Sequence, residues 1–362
     1  MNFKMENKKV GIIMVGYKDY VNNFLLECRD SLRAQTCPKD LFHVYIVDNC
    51  SINNCEYIKA NYPEAKTAER QDGNYASANN LGLKMAMDDG CEYFVIANMD
   101  TKFDANWLAE LVDAMENNPE AGIAQSKLFI YPQTELEWQQ PRINSLGNIM
   151  HFLGFGFTSS YNEPDREIVG YPEIKGYASG CSYIVRKEVI QKIGVYDEEY
   201  YMYHDDIEMS WRVKLAGYKI ILAPKSLVYH KYEFSRSVRM LYYMERNRYL
   251  AMFHYYKLPT LIILSPAILG MELGMIFFSL VNGWFVDTKL KAIQYFFQID
   301  TWKKIIKKRK EVSGFRKVND REIVKDFEGR VLFQEIENPV LKYIANPVFN
   351  LYWGVVKRVI FW

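Results

Sequence analysis

The sequence predicts an α/β fold on a doubly wound, mostly parallel sheet, followed by a C-terminal helical region. Three observations carry that prediction. Short, near-continuous apolar runs alternate with segments of helical periodicity, the pattern of strands covered on both faces of a sheet. Polar residues able to do chemistry sit directly after those runs, where ligands bind in such sheets. Beyond Leu258 the chain becomes strongly apolar and then basic.

Residues 10–15 (VGIIMV) read as a buried strand bounded by Gly16. Val21, Phe24, Leu25, Cys28 and Leu32 then recur at helical spacing until Pro38. Residues 43–47 (HVYIV) form a second strand ending at Asp48 and Asn49, followed by a short helix over 55–60 and a weak strand over 66–69. Residues 76–87 are helical in pattern and 93–97 (YFVIA) are another apolar strand. A helix begins near Ala105, with Trp107, Leu108, Leu111 and Met115 on one stripe. In the more irregular stretch up to Tyr232, strands are expected over 122–126, 182–185 and 218–222. The change of character near 248–257 marks a domain edge.

Hydrophobic residues at 49% and charged residues at 25% describe a globular chain, and a net charge of +1 argues against a nucleic-acid binder. The cysteines (Cys28, Cys37, Cys50, Cys55, Cys91, Cys181) show no CxxC pair and no repeated zinc-ligand spacing, so they read as reduced thiols. A polar start over residues 1–9 passes straight into a strand with no apolar leader. The sequence therefore predicts no secretion signal and chemistry in the cytoplasm.

Four clusters carry candidate chemistry. Asn98-Met99-Asp100 follows the YFVIA strand; a carboxylate there suits a hard divalent cation, though a plain turn explains it as well. Asp48-Asn49-Cys50-Ser51 follows the second strand and reads either as a nucleotide contact or as the cap of the next helix. In residues 73–82 (GNYASANNLG) small residues open a helix whose start favours an anionic phosphate. The adjacent Asn79 and Asn80 are poor helix formers retained for some other reason. Asp205, Asp206 and Glu208 crowd three carboxylates into four residues beside Tyr203 and Trp211, so one pKa should rise unless a cation or Arg212 compensates. His230, after Tyr229 at a strand end, reads as a metal ligand or as a structural histidine.

Taken in order over residues 9–256, these segments resemble family 2 glycosyltransferases with the GT-A fold, especially rhamnosyltransferase-like and galactofuranosyltransferase-like members. The resemblance rests on VDNCS, GNYASANNLG, the NMD triplet in the DxD position, residues 179–218 (SGCSYIVRKEVIQKIGVYDEEYYMYHDDIEMSWRVKLAGY), Tyr229-His230 and YYMERNRYL. It implies a catalytic domain over 1–250, with a nucleotide-sugar half of about 1–120 and an acceptor half of about 121–250. It further implies that Asp48 contacts the nucleotide and that Asn74, Asn79, Asn80 and Asn98 line the donor site. Asp100 and His230 would bind Mg2+ or Mn2+. Asp206 would be the base that deprotonates the acceptor hydroxyl, with Asp205 orienting it and the Gly180-Cys181 turn near the acceptor. The family's first DxD acid is Asn98 here, and Asp205 stands where Glu is commoner, which leaves the base open between Asp205 and Asp206. The implied reaction is metal-dependent, inverting transfer from a nucleotide-sugar, with dTDP-rhamnose first and UDP-sugars next, onto a glycan or polyprenyl-linked acceptor in cell-surface polysaccharide synthesis.

Two rival readings are a nucleotidyltransferase and an inactive membrane scaffold. Residues 15–20 (VGYKDY) lack the Gly-rich, basic triphosphate loop the first requires, and only Asn98 favours the second. Residues 251–362 are expected to form a helical, membrane-associated region at the cytoplasmic face. Residues 258–286 are long enough to span a bilayer, but Pro259, Pro266, Glu272 and Asn282 interrupt them. Lys303, Lys304, Lys307, Lys308, Arg309 and Lys310 would face anionic headgroups. The other reading is a helical subdomain, packed on the sheet or forming a homo-oligomer.

Overall fold

The computed structural model describes residues 8–50, 54–231, 241–332 and 339–362. Ser51 and residues 1–7 of the polar start lie outside the described residues. By internal packing the chain divides into two compact units. The first comprises Met1–Asn148, Thr158–Val213 and Tyr218–Tyr232; the second comprises Ile149–Phe157, Lys214–Gly217 and Glu233–Trp362.

The first unit alternates strands and helices: β1 (Val10–Tyr17), α1 (Tyr20–Arg33), β2 (Phe42–Asn49), α2 (Asn54–Asn61), β3 (Lys66–Arg70), α3 (Tyr75–Asp88), β4 (Tyr93–Ala97), β5 (Thr101–Phe103), α4 (Trp107–Glu116) and β6 (Ala121–Ile130). A short helix α5 (Glu135–Gln139) and strand β7 (Ile143–Ser145) follow. After the hairpin β8 (Asn148–Met150) and β9 (Gly156–Thr158), the unit resumes with β10 (Ser182–Arg186), α6 (Lys187–Ile193), α7 (Asp205–Leu215) and β11 (Lys219–His230). The main sheet runs β3-β2-β1-β4-β10-β6-β11-β5, with β7 paired to β6. Strands β1, β2, β3 and β4 are mutually parallel and β11 is parallel to β6, while β10 and β5 run antiparallel to their neighbours. The sheet is thus mixed and mostly parallel, and its order reverses between β1 and β4, so the C-terminal ends of those strands open a crevice.

Hydrophobic burial explains why these segments fold so. Val10, Ile12, Ile13, Ile46, Val47, Phe94 and Val95 are fully buried, each contributing about 1.5–3 kcal/mol. The α1 stripe of Val21, Leu25, Cys28 and Leu32 packs into the same core. Helix α3 can lie close on β1 because Gly82 has no side chain: a Cβ there would stand 2.5 Å from Ile13 Cγ2. Trp107 is also fully buried, its indole N–H donating to Ser126 Oγ and Ser182 Oγ at 3.0 Å each, so the polar edge of a large ring is satisfied inside the core.

The second unit takes in most of the β8–β9 hairpin, and from residue 241 on its elements are helical: α8 (Leu241–Tyr255), α9 (Leu258–Val281), α10 (Lys291–Phe296), α11 (Ile299–Phe315), α12 (Asp320–Val324) and α13 (Asn346–Val359). A buried ionic cluster lies at its centre. Lys289 Nζ sits 2.6 Å from Glu245 and 2.7 Å from Glu272, and Arg248 lies 3.2 Å from Glu245. Thus Glu272, the acid that interrupts the apolar stretch, is paired on the inner side of α9. Thr260, Leu264, Ala267, Met271 and Ser279 form a buried stripe along the helix, whereas Leu258, Ile262, Leu269, Leu273 and Phe277 are 60–70% exposed. By length and composition α9 could cross a membrane.

Candidate active site

The crevice is built from strand ends. Asp100 follows β4 and is buried; Tyr20, at the start of α1, donates its hydroxyl proton to Asp100 Oδ2 at 2.7 Å. Strand β5 pairs with β11 in the register Thr101 with His230, which brings His230 Nε2 to 3.5 Å from Asp100 Oδ1. The other ring nitrogen, Nδ1, lies 3.2 Å from Asn144 Oδ1. Burial disfavours protonation of His230, but the Cys181 sulfur and the Asp100 carboxylate outweigh it and hold the imidazole well above its ordinary value. Among the described residues no group of three or more His, Cys, Asp and Glu side chains has metal-holding spacing. The Asp100 oxygen and the His230 nitrogen, once the ring has given up its proton to an incoming cation, would match two neighbouring donors of a divalent ion whose other ligands are phosphate and water.

The second cluster is the aspartate pair that opens α7. Asp205 is buried and Asp206 half-buried. Burial, then the charge of Asp206, raises the Asp205 carboxyl far above the usual range; burial raises Asp206 as well. Two buried carboxyl groups side by side resist ionising together, so the pair tends to hold one proton. Glu208, the third acid, is accounted for separately: Arg212 bonds it at 2.6 Å, both side chains being buried. Arg212 also donates to the carbonyls of Ile193, Gly194 and Val195. Arg212 therefore compensates Glu208 and leaves the aspartates to each other.

One turn links the two clusters. The Gly180 N–H points to Asp206 Oδ2 at 3.4 Å, and a Cβ on Gly180 would lie 4.0 Å from both aspartate carboxylates. The next carbonyl, of Cys181, accepts the Asn98 N–H at 3.0 Å. The Asn98 side chain, half-buried, meets the Tyr75 hydroxyl at 3.4 Å. Asp100, His230, Asn98, Asp205 and Asp206 are thus assembled around residues 180–181.

The asparagines of residues 73–82 behave otherwise. Asn74 caps α3, accepting from the Ser77 N–H at 3.0 Å, and donates to the Glu198 carbonyl. Asn80 exchanges hydrogen bonds with the Tyr196 backbone and donates to Glu198 Oε1. Asn79 is buried and donates to the Tyr75 carbonyl, while its Oδ1 has no hydrogen-bond partner among the described residues. The start of α3 does not offer bare donors to a phosphate, as the sequence suggested. The N–H groups of Tyr75 and Ala76 both bond the Tyr201 carbonyl, at 2.8 and 3.2 Å. Asp48 stands apart at the end of β2, accepting from Asn54 Nδ2 at 3.3 Å.

The segment before the aspartates is strained. Tyr201, Tyr203 and His204 have φ of 63°, 61° and 62°, a left-handed conformation that costs of order 1–3 kcal/mol per residue outside glycine and clusters at functional sites. Sequence reasoning did not single out Tyr20, Tyr75, Asn144 or this strain. Tyr20 and Asn144 lie outside every motif, and Tyr75 lies inside GNYASANNLG without standing out in it, because each makes its contact with a segment distant in the chain.

The mixed, mostly parallel sheet, with an aspartate pair and a carboxylate–imidazole pair gathered beside its strand ends, is that of a GT-A-like α/β protein. A crystal structure of GalNAc-T7 with UDP, GalNAc and Mn2+ shares this fold, with a TM-score of 0.50 and 14% identity, covering 68% of this chain and 51% of that one. The chain belongs to glycosyl transferase family 2, whose model matches residues 12–194. It is 27% identical over 150 residues to an N-acetylglucosaminyl-diphospho-decaprenol L-rhamnosyltransferase of Mycobacterium tuberculosis, covering 38% of this chain and 47% of that protein. It is 26% identical over 168 residues to the O-antigen biosynthesis protein RfbC of Myxococcus xanthus, covering 45% of this chain and 12% of that one. The chain thus spans about half the length of the mycobacterial relative or less of such proteins.

Proposed function

We propose that the chain is a metal-dependent, inverting glycosyltransferase that moves a sugar from a nucleotide-sugar to a hydroxyl of a glycan or lipid-linked acceptor in cell-surface polysaccharide synthesis. The observation that carries this reading is the 180–181 turn, with the aspartate pair on Gly180 and Asn98 on Cys181. Asp206, half-buried and nearer to solvent than Asp205, takes the proton of the acceptor hydroxyl as that oxygen attacks the anomeric carbon. Asp205 is the more deeply buried of the two, so the shared proton rests there and Asp206 is left ionised. Attack from the face opposite the leaving diphosphate gives inversion in one displacement. Asp100 and His230 would hold Mg2+ or Mn2+, which when bound neutralises charge growing on the departing diphosphate. Asp48, Asn74, Asn79, Asn80 and Asn98 surround the nucleotide-sugar, Asn74 and Asn80 by fixing residues 196–198 beside it.

The preferred donor is dTDP-rhamnose: the name of the mycobacterial relative supports rhamnose as the sugar, and the dTDP carrier rests on the sequence resemblance alone. Thermal-shift and hydrolysis screening of nucleotide-sugars with Mn2+ tests it. Stabilisation and turnover by dTDP-rhamnose are expected; turnover of a UDP-sugar instead moves the donor within the same reaction. A protein that neither binds nor hydrolyses any member overturns the reading.

The proposal extends to location at the cytoplasmic face of a membrane. It is supported by the exposed apolar side chains of the second unit, on α9 and on α13, where Val348, Leu351 and Val355 are 58–73% exposed. Since a buried stripe runs along α9 from Thr260 to Ser279, the helix is read as lying in the membrane surface rather than crossing it. A homo-oligomer through these helices is the competing arrangement.

A further inference from the structure

Tyr201 is the central residue of a γ-turn. Its φ of 63° and ψ of −64° belong to the rare, strained form rather than the common inverse form, and the Met202 N–H closes the turn on the Tyr200 carbonyl at 2.7 Å. Such a conformation persists only where the surroundings over-determine it, and residues 72–76 do so. The Tyr201 carbonyl accepts from Tyr75 and Ala76, and its hydroxyl donates to the Asp72 carbonyl at 3.0 Å. Gly73, at φ 70°, packs so closely that a Cβ there would meet the Tyr201 hydroxyl oxygen at 2.4 Å. The 72–76 turn is in its turn fixed to the end of β2, since Asn49 Oδ1 accepts from the Gly73 N–H at 3.0 Å and Asn49 Nδ2 donates to the Asn74 carbonyl at 3.1 Å. Four residues after Tyr201, α7 begins with Asp205 and Asp206.

We propose that Tyr201 is a positioning residue that couples the donor-side turn 72–76 to the aspartate pair, so that an occupied donor site aims the acceptor base. This rests on the glycosyl-transfer reading given above. The chain of contacts runs from Asn49 through Gly73 and Tyr75 to Tyr201, and through two further left-handed residues, Tyr203 and His204, to Asp205. Neither Tyr203 nor His204 relaxes without moving the first turn of α7. Because the γ-turn is held from the donor side, anything that steadies residues 72–76 steadies the carboxylates, and a loosened turn lets them drift.

Tyr201→Phe removes the hydroxyl bond to Asp72, and Gly73→Ala presses on the same oxygen. In the full chain, Tyr201→Phe is expected to lower kcat about tenfold while donor Kd stays within about twofold, and to leave thermal unfolding nearly unchanged. In an Asp206→Asn background the same substitution should have no further effect, because a positioning residue acts through the group it positions. Additive losses in the double variant, or wild-type kcat in both Tyr201→Phe and Gly73→Ala, would overturn the proposal. Amide exchange separates its failure from that of the transfer reading. With dTDP or UDP and Mn2+ as probe, residues 72–76 and 201–206 should gain protection together in the wild type, and only 72–76 in Tyr201→Phe. Joint protection without sugar transfer retains the coupling and sinks the transfer reading; nucleotide protection confined to 72–76 in the wild type sinks the coupling.

Discussion

His230 Nε2 stands 3.5 Å from Asp100 Oδ1 because β5 and β11 pair Thr101 with His230 at the edge of the sheet. Two donors held by strand register need no local motif to find each other. Asp100→Ala and His230→Ala should each weaken donor binding about 10- to 100-fold with Mn2+ present and change it little in EDTA, the size of loss seen when a metal site is disturbed. Calorimetric titration of the nucleotide-sugar with and without metal checks this. Normal binding by His230→Ala would return the histidine to a structural role beside Asn144.

Asp206→Asn keeps shape and removes the proton acceptor. Transfer should fall about a hundred- to ten-thousand-fold with donor binding retained. The carboxyl is raised by burial, so the active, ionised form is lost as pH falls through a value above the ordinary ~3.9 of an aspartate. The acid limb of kcat/KM should therefore lie above that value. A near wild-type rate for Asp206→Asn would move the base to Asp205.

Asp205 carries a stability signature of opposite sign to that of a salt-bridged acid. Its folded pKa is raised, so the native state holds its proton more tightly than the unfolded chain does. The stability contributed by that proton is present at low pH and is lost as pH rises from about 4 into the neutral range. Asp205→Asn should unfold at a higher temperature than wild type at pH 8, with the difference shrinking toward pH 5. Equal melting temperatures at pH 8 would show that the pair is relieved by water or by motion.

In the second unit the sign reverses. Burial alone would raise the Glu245 carboxyl, but Arg248 and Lys289 outweigh it and hold it at about 2. Its contribution is present above the unfolded value of ~4.3 and is lost as pH falls toward the folded one. Lys289→Met leaves Glu245 and Glu272 short of their shared cation and should cost about 3–5 kcal/mol, read as a fall in denaturant midpoint. A loss below about 1 kcal/mol would mean that Arg248 suffices.

Much of this fold is legible in the sequence, because burial writes itself into period. The YFVIA run is β4 to the residue, and the apolar stripe from Val21 to Leu32 is α1. Strands expected over 122–126 and 218–222 prove longer, Ala121–Ile130 and Lys219–His230, since polar residues such as Lys127 and Ser226 are buried in them and break the apolar pattern. The aspartate cluster is visible as crowded charge. What is not visible is the pairing of His230 with Asn144, or the bond from Tyr201 back to Asp72, because each joins segments more than eighty residues apart. The asparagines at 79 and 80 stand out by poor propensity, but only the structure shows Asn80 spent on Tyr196 and Glu198.

The membrane proposal rests on where the charges of the second unit go. Glu272 turns inward to Lys289, so the exposed side of α9 presents Leu269, Leu273 and Phe277 without an acid beside them. Large apolar side chains exposed along one helix fit an interaction surface. Lys303, Lys304 and Lys307 are exposed on α11 nearby in sequence, and each cation close to an anionic bilayer adds about 1 kcal/mol. The full chain should co-sediment with vesicles containing anionic phospholipid, bind less to purely zwitterionic ones, and release partly at high salt. Leu273→Asp with Phe277→Asp should abolish sedimentation while leaving nucleotide binding by the first unit intact. Cysteines introduced at Leu258 and Val281 should be labelled by an impermeant thiol reagent from the same side, because a helix lying in the surface keeps both ends there. Labelling from opposite sides means that α9 spans. A chain that is monodisperse without detergent or lipid and ignores both vesicle types has covered this face with itself or another protein, and the membrane reading is then wrong.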